Sequence, residues 1–198
     1  MTAGHFGLAT GIKAGAPRLP LWALLVSTYL LDIIFIVLLA AGGIESFTQI
    51  DSAHPAYGAV LIHAYYTHSL VGAILIAAIA GWFASRRWGQ RNGLVIAGVV
   101  FSHWLLDLLV HRPDMPILPG NLGNLPLLGF GLWQIPVVSA IVELALVISG
   151  AYFYYRSASQ LPTPPGATRQ SQRRRVLTAS TVTTVLLLLL LATDLLGL

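Results

Sequence analysis

Five stretches of this 198-residue chain are apolar over the 20 or so residues that a helix needs to cross a hydrocarbon core about 30 Å thick. They cover 21–42, 56–84, 93–111, 131–155 and 176–198. Composition agrees: 56% of residues are hydrophobic and 9% charged, where a soluble domain carries about 25% charged residues. The mean hydropathy of +0.77 excludes a well-solvated globule, and so large an apolar fraction excludes a disordered chain. With no cysteine and no short period, a disulfide scaffold, a collagen and a coiled coil are excluded as well. The expected fold is all-α: a polytopic membrane helical bundle of about five transmembrane helices.

A sixth segment, 4–14, is too short to span and reads as an interfacial or re-entrant helix ahead of Pro17 and Pro20. Lys13 and Arg18 interrupt any signal-peptide core there. The organisation expected is a membrane domain over 1–156, a Pro/Arg-rich cytoplasmic linker over 157–175 and a C-terminal transmembrane helix over 176–198.

The net charge of +4 does not point to nucleic acid, because the basic residues sit in short segments between apolar runs. Lys13 and Arg18 precede the first run; Arg86, Arg87 and Arg91 follow the second; Arg156, Arg169, Arg173, Arg174 and Arg175 follow the fourth. On the opposite side only Arg112 appears. The positive-inside rule then puts the N-terminus in the cytoplasm and the C-terminus outside. Trp82, Trp88 and the aromatic run 152–155 read as interfacial belts.

Ionisable groups inside a span are expensive, face the bundle interior and mark function. This chain places Asp32, His68, His103, Asp107 and Glu143 inside the apolar runs, with His63, His111 and Asp114 near their ends. At about 1.5 Å per residue from the outer ends, Asp32, His68, His103 and Glu143 lie about 12–18 Å deep, and Asp107 about 6 Å. Groups from four runs therefore share one layer.

The densest string is Ser102-His103-Trp104-Leu105-Leu106-Asp107, continuing to His111-Arg112-Pro113-Asp114. His103, Asp107 and His111 recur every fourth residue and fall on one helical stripe. Imidazole and carboxylate one turn apart are the groups that grip a divalent metal, and the metal supplies positive charge for Asp107 and Asp32. His63 and His68 are five apart, a poor same-face spacing, and the Thr67-His68-Ser69 context favours His68 as the ligand. A lone buried histidine is more often a packed residue, and an Asp–His pair serves as readily as an ion pair or a proton relay. The set taken together is what points to a metal. Glu143 reads as a pairing partner of Arg112 or a support of the ligands, and Asp194 as an exposed residue near the end of its helix.

The strings Thr67-His68-Ser69-Leu70 and Ser102-His103-x-x-Leu106-Asp107, with the earlier Leu30-Leu31-Asp32, resemble the YdjM family of inner-membrane proteins, described as metal-dependent hydrolases. His111-Arg112-Pro113-Asp114-Met115-Pro116, Gly131-Leu132-Trp133 and His5-Phe6 are similar to one bacterial branch of that family. The resemblance spans about 4–156 and implies a distant relation to zinc phospholipases C and P1-type nucleases. It implies a divalent metal of zinc type held by Asp32, His68, His103 and Asp107, with His5 as an additional ligand; His111 joins this set through the helical stripe alone, and as an interfacial residue it could equally be solvated. The downstream His-x-x-x-Glu pair of those enzymes has no match, since Ser139 stands before Glu143, so one or two ions are implied rather than three.

The function expected is a membrane-embedded hydrolase of the bacterial inner membrane acting on a phosphoester or lipid-like substrate. Asp32 or Glu143 would be the general base, and Arg112 and Asp114 would bind substrate. An ion, proton or small-solute transporter and a non-catalytic scaffold with a structural metal are the alternatives. Six histidines are too few for a His-rich di-iron oxidase, and Ser69 and Ser102 lack a Gly-flanked nucleophile turn.

Overall fold

The computed structural model describes residues 1–50, 60–163 and 165–196. It is an all-α bundle. In chain order the helices are α1 (Thr2–Ile12), α2 (Leu21–Thr28), α3 (Leu30–Ala40), α4 (Leu70–Trp88), α5 (Gln90–Val110), α6 (Pro136–Gln160) and α7 (Arg169–Leu196). Between α3 and α4, β1 (Ser46–Gln49) pairs antiparallel with β2 (Val60–His63), Ser46 opposite His63.

Helices α4 to α7 are each long and apolar enough to cross a membrane, and α2 with α3, bent by 53°, is long and apolar enough only as a pair, as a broken span or a re-entrant loop. Their outward residues are large and apolar, among them Ile74, Leu75 and Ile79 on α4 and Val185, Leu186 and Leu189 on α7. Such a surface belongs in lipid.

Three boundaries differ from the sequence expectation, each for a local reason. The second span begins at Leu70 rather than 56, because Ser69 caps α4 by accepting the Gly72 amide at 3.0 Å. Its apolar prelude at 60–63 is a strand, and 56–59 lie outside the described residues. The fourth span starts at Pro136, where a missing N–H is harmless in the first turn. The expected linker narrows to 161–168, because α7 already starts at Arg169. Thr168 and Ser171 cap that start reciprocally, each hydroxyl accepting the other's amide at 3.1 Å.

Glycine sets two close helix crossings. A Cβ on Gly81 of α4 would strike the Gly93 carbonyl and Ala97 on α5. A Cβ on Gly150 of α6 would strike the backbone of Gly7 on α1.

Helix α1 does not lie along an interface. Ala3, Gly4, His5, Gly7, Ala9 and Thr10 are all buried against α2, α6 and α7. It runs parallel to α6, from Glu143 beside Gly4 to Gly150 beside Gly11. Eleven residues give about 16 Å, half a bilayer. Its start is therefore at mid-bundle, and Lys13 and Arg18 follow at the end that also carries Arg86, Arg87, Arg91 and Arg156.

A half-helix ending inside lipid leaves amides without partners. Two carboxylates supply them: Asp194 accepts the Ala3 amide at 3.1 Å and Glu143 accepts the Gly4 amide at 2.9 Å. Negative charge at a helix start is also favoured by the helix dipole. Asp194 is thus tied into the bundle rather than solvated as the sequence suggested.

Candidate metal centre

The break between α2 and α3 is where the site begins. Polar backbone at membrane depth is tolerated only where its groups find partners. At the break the Thr28 carbonyl accepts Nδ1–H of His103 at 2.7 Å, and the Thr28 hydroxyl reaches the His5 carbonyl at 3.3 Å. Because a carbonyl only accepts, Nδ1 of His103 carries the proton, and the lone pair of the neutral ring is on Nε2.

That Nε2 points into a cluster. It lies 3.0 Å from Asp107 Oδ2, 3.4 Å from Asp32 Oδ1 and 3.3 Å from His68 Nε2. His68 Nε2 is in turn 3.3 Å from Asp32 Oδ1 and 3.3 Å from Asp107 Oδ2. Four candidate ligand atoms from three chain segments (α3, the turn before α4, and α5) thus come together. A tetrahedral ion with bonds of about 2.0–2.1 Å requires its ligand atoms to be about 3.3–3.4 Å apart, and five of the six edges measure 3.0–3.4 Å. Lone pairs and carboxylate oxygens that close repel one another unless a cation lies among them, either protons on the rings or a metal.

The supports are polar and buried. Thr67 Oγ1 is 2.9 Å from His68 Nδ1, and Trp104 Nε1 donates to the His68 carbonyl at 2.8 Å. Asp107 faces two ways: while Oδ2 meets the cluster, Oδ1 is 3.0 Å from His5 Nε2, and the His5 ring stacks on His103 with centroids 4.0 Å apart. His5, His103 and Asp107 therefore form a second group able to hold an ion, beside Asp32, His68 and His103.

His111 is the outermost of the set. Its Nε2 is 3.8 Å from Asp107 Oδ2, and its Nδ1–H donates to Asp114 Oδ1 at 3.0 Å. Trp133 packs on its ring with centroids 4.5 Å apart. Asp114 is buried and its other oxygen accepts the Ile62 amide at 3.4 Å, so it orients His111 from behind instead of facing substrate.

A cavity of about 200 Å³ opens onto the cluster, lined by His5, Tyr29, Asp32, His68, Asp107 and His111 among others. Asp32 is its most open ligand, 27% exposed against 5% for Asp107. Glu143 and Arg112 are not on its wall. Glu143 is fully buried at the start of α1, so of the two proposed bases only Asp32 reaches the cavity. Arg112 is half-buried one residue beyond His111. His63 is remote, bonded to Thr48 Oγ1 at 3.0 Å across the hairpin.

Comparison with known protein families, characterised proteins and solved structures finds no match. The site accordingly rests on its own geometry.

Sequence reasoning missed Glu45. It is fully buried, and one carboxylate oxygen accepts the Tyr66 and Thr67 amides at 3.0 and 2.8 Å, fixing the turn that carries Thr67 and His68. Nothing in its loop, an apparent solvent connection, marks it out. The Thr28 carbonyl was equally silent, because no proline or glycine marks the helix break, and Trp133 stood out only within the string Gly131-Leu132-Trp133, without a role.

Proposed function

We propose that the chain is a membrane-embedded, metal-dependent hydrolase acting on a phosphoester or lipid-like substrate. The observation that carries it is the convergence of Asp32, His68, His103 and Asp107, five of whose six mutual spacings are 3.0–3.4 Å. Two imidazoles and one carboxylate, from His68, His103 and Asp107, are a donor set suited to a catalytic zinc, and His5 on the far oxygen of Asp107 leaves room for a second ion. Held by His68, His103 and Asp107, a zinc ion would supply an activated water and a Lewis acid for a phosphoryl oxygen. Asp32, the carboxylate open to the cavity and left free of the ion in that arrangement, would take the proton from water. His111, oriented by Asp114, is placed to return a proton to the leaving group. The cavity is smaller than the roughly 300 Å³ at which whole-ligand pockets begin, so it admits a headgroup while the rest of the substrate stays in lipid.

The test is elemental analysis of protein purified without chelators, followed by a phosphatase and phospholipase screen. About one or two equivalents of zinc, with hydrolysis lost on chelation, is expected. Metal-free protein that hydrolyses nothing would overturn the proposal.

One observation favours a second reading. Half-helix α1 and the broken α2–α3 pair meet at the cluster, and interrupted helices at mid-membrane are how transporters build ion sites. Zinc or proton flux in proteoliposomes, without hydrolysis, is the result that would select it.

A further inference from the structure

Helices α6 and α7 are longer than a bilayer requires. Their 25 and 28 residues give about 37 and 42 Å, against a hydrocarbon core of about 30 Å. The surplus of α7 is its polar start, 169–175, and that of α6 is its end around Arg156 and Ser159. Both ends therefore stand at headgroup level, on the basic face of the bundle.

A cavity of about 880 Å³ separates them. Arg169 and Arg173 form one wall, Tyr155 and Ser159 the other. Val176 and Leu177, one turn further along α7 toward the membrane, give it an apolar floor. Gln172 also lines it, with its amide held by the Leu161 carbonyl at 2.6 Å, which pins the connecting loop to α7.

The stretch 156–175 carries no negative charge of its own. The seven acidic residues are Asp32, Glu45, Asp51, Asp107, Asp114, Glu143 and Asp194, and none lies within 156–175, which holds five arginines. Among the described residues no carboxylate pairs with Arg169 or Arg173. An occupant must bring negative charge to the arginines and apolar surface to the floor. Basic pockets between membrane helices at headgroup level recognise anionic lipids in this way.

We propose that the cleft between the α6 and α7 ends is a binding site for an anionic phospholipid. Its phosphate sits between Arg169 and Arg173, and its glycerol and first acyl carbons rest on Val176 and Leu177. The site is independent of the metal cluster and of the reaction assigned to it.

The full chain is reconstituted in vesicles of equal parts phosphatidylglycerol and phosphatidylcholine, extracted in mild detergent, and its retained lipids are counted by native mass spectrometry. One phosphatidylglycerol per chain is expected, with about tenfold less in Arg169→Gln/Arg173→Gln. Arg86→Gln/Arg87→Gln, which removes two charges of the same basic face outside the cavity, retains it. All side chains changed are exposed or half-buried, and an unchanged helical circular dichroism spectrum shows the variants fold. Equal retention of both lipids, equal loss in both double variants, or displacement of the lipid by millimolar inorganic phosphate would each overturn the proposal.

Discussion

His103 gives its Nδ1–H to the Thr28 carbonyl at 2.7 Å, so the break in the first span and the ligand geometry of the third are one feature. The bend between α2 and α3 presents that carbonyl to the bundle interior and starts α3 two residues before Asp32. The same break thus orients the His103 ring and delivers Asp32 Oδ1 to within 3.4 Å of it.

Asp107 is the hub of the cluster, with His68 and His103 on one oxygen and His5 on the other. Asp107→Asn keeps its volume and removes its charge and one acceptor. Zinc content by elemental analysis is expected to fall at least about tenfold, since removing one charge from a buried set costs about 3–5 kcal/mol. Zinc retained at the wild-type level would show that Asp107 is not a ligand.

Asp114 acts through His111. Asp114→Asn leaves the imidazole without its carboxylate acceptor at Nδ1. Partners of this kind are worth about 10–100-fold in metal affinity or activity. The expected result is a loss of that size in hydrolysis, with zinc stoichiometry and thermal midpoint close to wild type. Direct substrate binding by Asp114 would instead raise KM and leave kcat in place.

The apolar helices and the buried cluster of Asp32, His68, His103 and Asp107 were legible because charge is so sparse in this chain that each buried polar residue stands out. The shared depth expected for Asp32, His68, His103 and Glu143 came from counting along helices, which put Asp107 shallower. Glu143 shared that depth but not that destination, because depth does not fix the face a residue occupies. Its helix turns it to the start of α1, which periodicity could not place inside the bundle. The hairpin of β1 and β2 was hidden because its second strand is as apolar as a span. Glu45 was hidden because its partners are backbone amides 21 and 22 residues away.

Glu143 and Asp194 should behave as caps. Glu143→Ala leaves the Gly4 amide buried without its acceptor, a loss of about 1–3 kcal/mol. Thermal unfolding in detergent should therefore show a lowered midpoint, and zinc content should remain well above that of Asp107→Asn. A variant with unchanged midpoint and abolished hydrolysis would restore Glu143 as the general base.

Orientation can be read directly because the chain contains no cysteine. Leu122, 66% exposed in the α5–α6 connection, lies at the end opposite the arginines, and Gln170 is exposed in the first turn of α7 among them. With ten of the eleven basic residues at one end, that end is expected to face the cytoplasm. In intact cells a membrane-impermeant maleimide should therefore label Leu122→Cys, and should label Gln170→Cys only after permeabilisation. This orientation puts the cavity above Asp32 in the outer half of the bilayer, within reach of outer-leaflet lipid headgroups. The reverse labelling pattern would move the same cavity to the cytoplasmic half and make lipids of the inner leaflet its substrates.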